Sequence, residues 1–131
     1  MTIELLVLAW GCLLAIVHVF AAVRVKTRQY GVQWNMGARD ADLPPPQPIV
    51  GRLARAQANF FETFPILGLA ILLVTVADRT DQWTAIGAML WLAMRVIYLP
   101  VYALGITKVR TVIWLLSVGG IALILRPVLL P

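Results

Sequence analysis

Two groups of polar side chains interrupt stretches that are otherwise apolar, and their spacing sets each group on one helix face. Arg55, Asn59 and Glu62 fall at i, i+4 and i+7, a spacing that a helix brings into one stripe. Arg95, Tyr98 and Tyr102 fall at i, i+3 and i+7 and form a second stripe. Gln57 sits beside the first stripe, and Arg110 opens the last apolar stretch. A charged side chain inside a membrane span costs at least ~2.5–3.5 kcal/mol, so such residues mark a functional site by default. Three arginines, an amide and two tyrosines exceed what a structural pair needs. Their excess positive charge calls for an anionic ligand, because the guanidinium fork binds carboxylates bidentately. For Glu62 and Arg95 taken alone, the alternative is interhelical glue.

The elements that must carry these residues follow from composition. Of 131 residues, 61% are hydrophobic and only 13% are charged, against about 25% charged in an ordinary soluble domain. This excludes a soluble domain, a disordered chain, a disulfide-stapled secreted module and a nucleic-acid partner. Four apolar stretches are each long enough to cross a ~30 Å hydrocarbon core at ~1.5 Å per residue. The spacing predicts an all-α membrane protein, a single domain over residues 1–131, with spans over about 3–23, 52–77, 82–104 and 109–129. A proline-rich loop is expected over 24–51, where Pro44, Pro45, Pro46 and Pro48 oppose a helix. The other two links are short, so the spans form an up-down bundle. The first stretch starts at Glu4 with neither a basic segment before it nor a cleavage signal after it, which suits a retained helix.

The net charge of +5 is topological. The segment from Arg24 to Arg55 carries six basic and two acidic residues, and the third link adds Lys108 and Arg110 without an acid. The positive-inside rule makes both links cytoplasmic and both termini non-cytoplasmic. Arg126 opposes this assignment mildly. Glu62 lies ~15 Å along the second span and Arg95 ~13–14 Å from the same end of the third. Acid and base therefore meet at one depth, and a Glu62–Arg95 ion pair is the economical expectation. Asn59 shares a level with Tyr98, and Arg55 with Tyr102. Arg110 completes a polar cleft toward the cytoplasmic leaflet.

The run Arg55-Ala56-Gln57-Ala58-Asn59-Phe60-Phe61-Glu62-Thr63-Phe64-Pro65 resembles the R-A-x-x-N-x-x-E-x-x-P pattern of the MAPEG superfamily, membrane-associated proteins in eicosanoid and glutathione metabolism. Arg95 to Tyr102 is similar to that family's R-x-x-Y-x-x-x-Y motif, and Arg110 to the arginine of its last helix. The resemblance covers essentially the whole chain. It implies a four-helix bundle assembled as a homotrimer, with glutathione as co-substrate bound between neighbouring subunits. Arg55, Asn59 and Glu62 would hold the peptide, with Gln57 nearby and Tyr98 and Tyr102 contributing from the third span. Arg24 would help hold a carboxylate, and Arg110 would stabilise the thiolate. The tyrosines could instead stack or anchor the membrane interface. Where several eicosanoid-type members have a tyrosine after the motif glutamate, this chain has Thr63.

The implied activity is a glutathione-dependent transferase or peroxidase acting on a lipophilic electrophile or lipid hydroperoxide that enters from the bilayer. A non-catalytic lipid- or small-molecule-binding protein of the same fold is the alternative. A small multidrug exporter also has four helices, but such transporters carry their buried glutamate in the first helix, where this chain has only Glu4 at the end. A bacterial inner membrane is the expected location. No metal is expected: His18 has no ligand partner at suitable spacing, and Cys12 is one small residue in the first span. Gly119-Gly120 suits a close helix approach.

Overall fold

A computed structural model describes residues 1–130 as five helices: α1 (Ile3–Tyr30), α2 (Val32–Met36), α3 (Pro48–Val76), α4 (Gln82–Ala103) and α5 (Thr107–Leu129). Among these residues there is no strand. Helices α1, α3, α4 and α5 are each long and apolar enough to cross a bilayer, so the chain is an integral membrane protein built as an up-down bundle. Helix α1 packs on α3 and α4, α3 also on α4 and α5, and α4 most extensively on α5.

The link expected over 24–51 is largely helical. Helix α1 continues through Arg24 to Tyr30 and stops at Gly31, whose φ of +97° ends the helix. Nothing between Arg24 and Tyr30 breaks a helix, so the end of the apolar run and the end of the helix do not coincide. Helix α2 follows at once. Helix α3 begins at Pro48, whose ring suits the first helical turn, and within the link only Gly31 and residues 37–47 lack helical structure.

Lipid supplies no hydrophobic drive between helices, so fit decides how spans meet. Glycines make the closest approach. A Cβ on Gly87 would lie 2.5 Å from the Gly120 carbonyl, and one on Gly120 would lie 2.5 Å from the Gly87 carbonyl. At this crossing the backbones of α4 and α5 touch. Gly119 faces open space, so Gly120 alone of that pair carries the expected role. Farther in, the fully buried Phe60 ring has His18, Phe64 and Trp91 at centroid distances of 4.5, 5.1 and 5.8 Å. Large apolar side chains such as Trp10, Phe20 and Leu69 point outward, as a lipid-facing surface requires.

At the end of the bundle away from the link, Glu4 is only 2% exposed. Its Oε1 accepts from the Thr84 hydroxyl at 2.5 Å. Thr84 and Asp81 form the capping box of α4, each accepting the other's backbone N–H at 2.8 Å. One hydroxyl thereby ties the start of α1 to the start of α4.

Candidate functional site

Helices α3, α4 and α5 enclose an open cavity of about 390 Å³ lined by Arg55, Ala58, Asn59, Glu62, Tyr98, Tyr102, Arg110, Thr111 and Trp114. Five of the six residues of the two expected stripes therefore face one space, all but Arg95. Helix α3 presents Arg55, Asn59 and Glu62, one stripe on successive turns. Helix α4 presents Tyr98 and Tyr102, whose rings meet edge to face at 5.5 Å. Arg110 enters from the first turn of α5, its guanidinium carbon 4.7 Å from the Tyr102 ring centre. Cation–π attraction of this kind holds a guanidinium in place without consuming its N–H donors. Arg55 Nε donates to the Tyr102 hydroxyl at 3.1 Å, so Tyr102 braces both arginines.

Arg95 behaves differently from expectation. It is 1% exposed and lies behind the cleft. Its Nη1 donates to Asn59 Oδ1 at 2.8 Å, and its Nη2 donates to the Thr63 hydroxyl. The guanidinium carbon sits 5.1 Å from the Tyr98 ring centre. Among the described residues it forms no ion pair with Glu62, which corrects the expected Glu62–Arg95 pair. The depth agrees, but the direction around the helix does not. Thr63 follows Glu62 by one residue, a rotation of about 100°, and the face Arg95 meets is that of Asn59 and Thr63. Glu62 is exposed and free to face the cavity.

This arrangement fixes how Asn59 can act. Its carbonyl oxygen is taken by Arg95, so the amide N–H₂ is the group left to offer a ligand. Thr63 is spent on Arg95. It also leans on its own helix, at 3.4 Å from the Phe60 carbonyl.

Two expected residues lie elsewhere. Gln57 borders a small hollow of about 60 Å³ between α1, α2 and α3, together with Lys26, Thr27 and Trp34. Arg24 is exposed on α1 and lines neither this hollow nor the main cleft. Within one chain, therefore, Arg24 and Gln57 do not join the cleft residues. Conversely, Arg52 was not expected. It borders a further cavity of about 180 Å³ that shares Arg55, Tyr102 and Arg110 with the main cleft. Its Nη1 donates to the Ala103 carbonyl at 3.3 Å. The signal was present, since Arg52 stands at i−3 from Arg55 on the same stripe, but its place at the span's edge concealed it. Thr111 and Trp114 are further additions, from the same face of α5 as Arg110.

The combined cleft holds three guanidinium groups, Arg52, Arg55 and Arg110, and one carboxylate, Glu62. Such a site suits a ligand with more than one anionic group and a single cationic one. Among the described residues no three His, Cys, Asp or Glu side chains cluster as a metal site would need. The family model described as MAPEG family matches residues 7–129. No curated protein and no solved structure matches the chain.

Proposed function

The chain belongs to the MAPEG family, and from that premise we propose that it is a membrane glutathione-dependent transferase or peroxidase working through an arginine-stabilised thiolate. The observation that carries the reading is the single cleft with three arginines facing one free carboxylate. Glutathione has two carboxylates, one ammonium and one thiol. In this reading Glu62 takes the ammonium, Arg52 and Arg55 take carboxylate charge, and the Asn59 amide N–H₂ donates to a peptide carbonyl. Arg110 lies beside the sulfur.

A free thiol has a pKa of ~8.5 and is mostly protonated at neutral pH. A guanidinium next to sulfur favours the charged form and so supplies nucleophile. In transfer, the thiolate forms a C–S bond as the electrophile's leaving group departs with its electron pair. In peroxide reduction, the thiolate sulfur takes the terminal oxygen as the O–O bond breaks, the alkoxide leaves and takes a proton from water to become the alcohol, and a second glutathione reduces the sulfenic acid to disulfide and water. Thr111 and Trp114 line the cleft next to Arg110, and the apolar co-substrate is placed against them.

The site is shared between copies in this reading. Arg24 and Gln57 face away from their own cleft, and a homotrimer brings them to the neighbour's, where they supply further donors for a carboxylate. The basic end of the bundle, with the link between α1 and α3, faces the cytoplasm by the positive-inside rule, in a bacterial inner membrane.

Calorimetry of glutathione on the detergent-purified protein tests the reading. The parent binds, and Arg55→Ala lowers affinity by at least tenfold, as loss of a charge-assisted contact requires. Arg110→Ala retains binding but loses the ultraviolet absorbance of bound thiolate. A folded oligomer that does not bind glutathione overturns the proposal and makes non-catalytic lipid binding the better account.

A further inference from the structure

One buried titratable group has no part in the glutathione reading. His18, on α1, is 1% exposed, and neither of its ring nitrogens has a hydrogen-bond partner among the described residues. Desolvating two polar atoms is costly, and an apolar side chain of the same size would fill the space without that cost. The imidazole therefore calls for a partner.

Register brings His18 to the site from behind. Helices α1 and α4 stay in step along their contact. Glu4 accepts from Thr84, 80 positions farther on, and a Cβ on Gly11 would lie 3.4 Å from the Trp91 ring, at the same spacing. Two turns past Gly11, His18 falls level with the stretch of α4 that carries Arg95 and Tyr98. Its ring centre lies 4.5 Å from that of Phe60, the chain neighbour of Asn59. Arg95 is near enough for its charge to act on the imidazole. His18 forms no part of the cleft wall, so it reaches the site only through these neighbours.

Arg95 is short of one acceptor. Its Nη1 and Nη2 serve Asn59 and Thr63, while its buried Nε–H has no partner among the described residues. Glu62 turns to the cleft and does not supply one. A neutral imidazole carries one acceptor nitrogen, and a buried water joins two polar groups that stand too far apart for a direct bond. We propose that His18 is a positioning residue of the glutathione site. Through one buried water its acceptor nitrogen holds Arg95 Nε–H, and so fixes the guanidinium that orients the Asn59 amide. Both Nη bonds run to α3, so Nε is the third point that stops the guanidinium from tilting about that edge. Held in this way, it takes Asn59 Oδ1 and leaves the amide N–H₂ to the cleft. A tilted guanidinium frees the amide to turn and present its carbonyl to glutathione. The role at the site rests on the glutathione reading; the link between His18 and Arg95 does not.

Three substitutions test it in the detergent-purified full chain. His18→Leu removes the acceptor, while His18→Asn and His18→Gln place an amide oxygen near where Nδ1 or Nε2 stands. The Nε–H resonance of Arg95 in isotope-labelled protein reads the link without any ligand. It should shift and exchange faster with solvent in His18→Leu, and return toward the parent in one of the amide variants. Calorimetry of glutathione reads the consequence. His18→Leu should weaken binding about fivefold, and the better amide variant by less than about twofold. Thiolate absorbance at saturating glutathione should stay unchanged, because Arg110 is untouched. In an Asn59→Ala background, His18→Leu should cost no further affinity, which a general loosening of the bundle would not reproduce. Equal weakening by all three substitutions, or losses that add in full with Asn59→Ala, would overturn the proposal. A parent that binds glutathione and an Arg95 resonance that ignores His18→Leu would overturn the positioning role alone. A parent that binds no glutathione would overturn the functional reading, and the positioning role with it, whatever the Arg95 resonance shows.

Discussion

Arg95 is a buried guanidinium that finds hydroxyl and amide partners instead of a carboxylate, and this sets the chemistry in front of it. Its bond to Asn59 Oδ1 orients the amide, and its approach to Tyr98 backs the aromatic wall. Thr63→Val leaves one side of that guanidinium unpaired. The expected cost is about 1–3 kcal/mol, read as an earlier unfolding midpoint in detergent titration. Asn59→Asp separates stability from binding. A carboxylate at that position pairs with Arg95, so the fold should tighten or hold. The cleft loses its amide donor and gains a negative charge, so glutathione affinity should fall by more than about tenfold. Equal glutathione affinity in Asn59→Asp and the parent would remove Asn59 from the proposed site.

At the scale of elements, the contact between α4 and α5 decides where Arg110 stands relative to Tyr98 and Tyr102. Gly87 and Gly120 permit that contact, and neither leaves room for a methyl group. Gly120→Ala should destabilise by about 1–3 kcal/mol through overpacking and weaken the cleft with it. Gly119→Ala, one residue away in open space, should be neutral or stabilise by up to about 1 kcal/mol through helix propensity. Thermal unfolding of the two variants side by side checks the contrast. The spans themselves were legible in the apolar runs. The extension of α1 to Tyr30 and the short α2 were not, because hydropathy marks where a helix leaves lipid and says nothing of where its hydrogen bonds end. The signal for the true end was Gly31, a backbone position with positive φ.

For the whole molecule, the proposed homotrimer makes a prediction that no single chain can satisfy. If Arg24 and Gln57 serve the neighbouring cleft, a chain with both replaced by alanine and a chain with Arg110→Ala are each inactive alone. Co-assembled, every mixed trimer contains one interface at which an intact cleft meets an intact neighbour. Activity should therefore reappear in the mixture, measured as conjugation rate after co-expression and tandem purification. Activity that stays absent in mixed assemblies would confine the site to one chain.

The sequence by itself determined the number of spans, the all-α bundle, the polar stripes on its second and third spans and the family. Each of these is written along one dimension. A bilayer of fixed thickness selects the length of an apolar run, and a helix of fixed pitch turns spacing into a face. The tertiary structure alone decided which face meets which. It paired Arg95 with Asn59 and Thr63, left Glu62 open to the cleft, turned Gln57 away from it to the hollow under α1 and α2 and drew Arg52 in beside Arg55. Rise per residue matches two groups in depth, but their contact also depends on how each helix is rotated about its axis. That rotation is set by side-chain fit at crossings such as Gly87 with Gly120, between residues far apart in the chain.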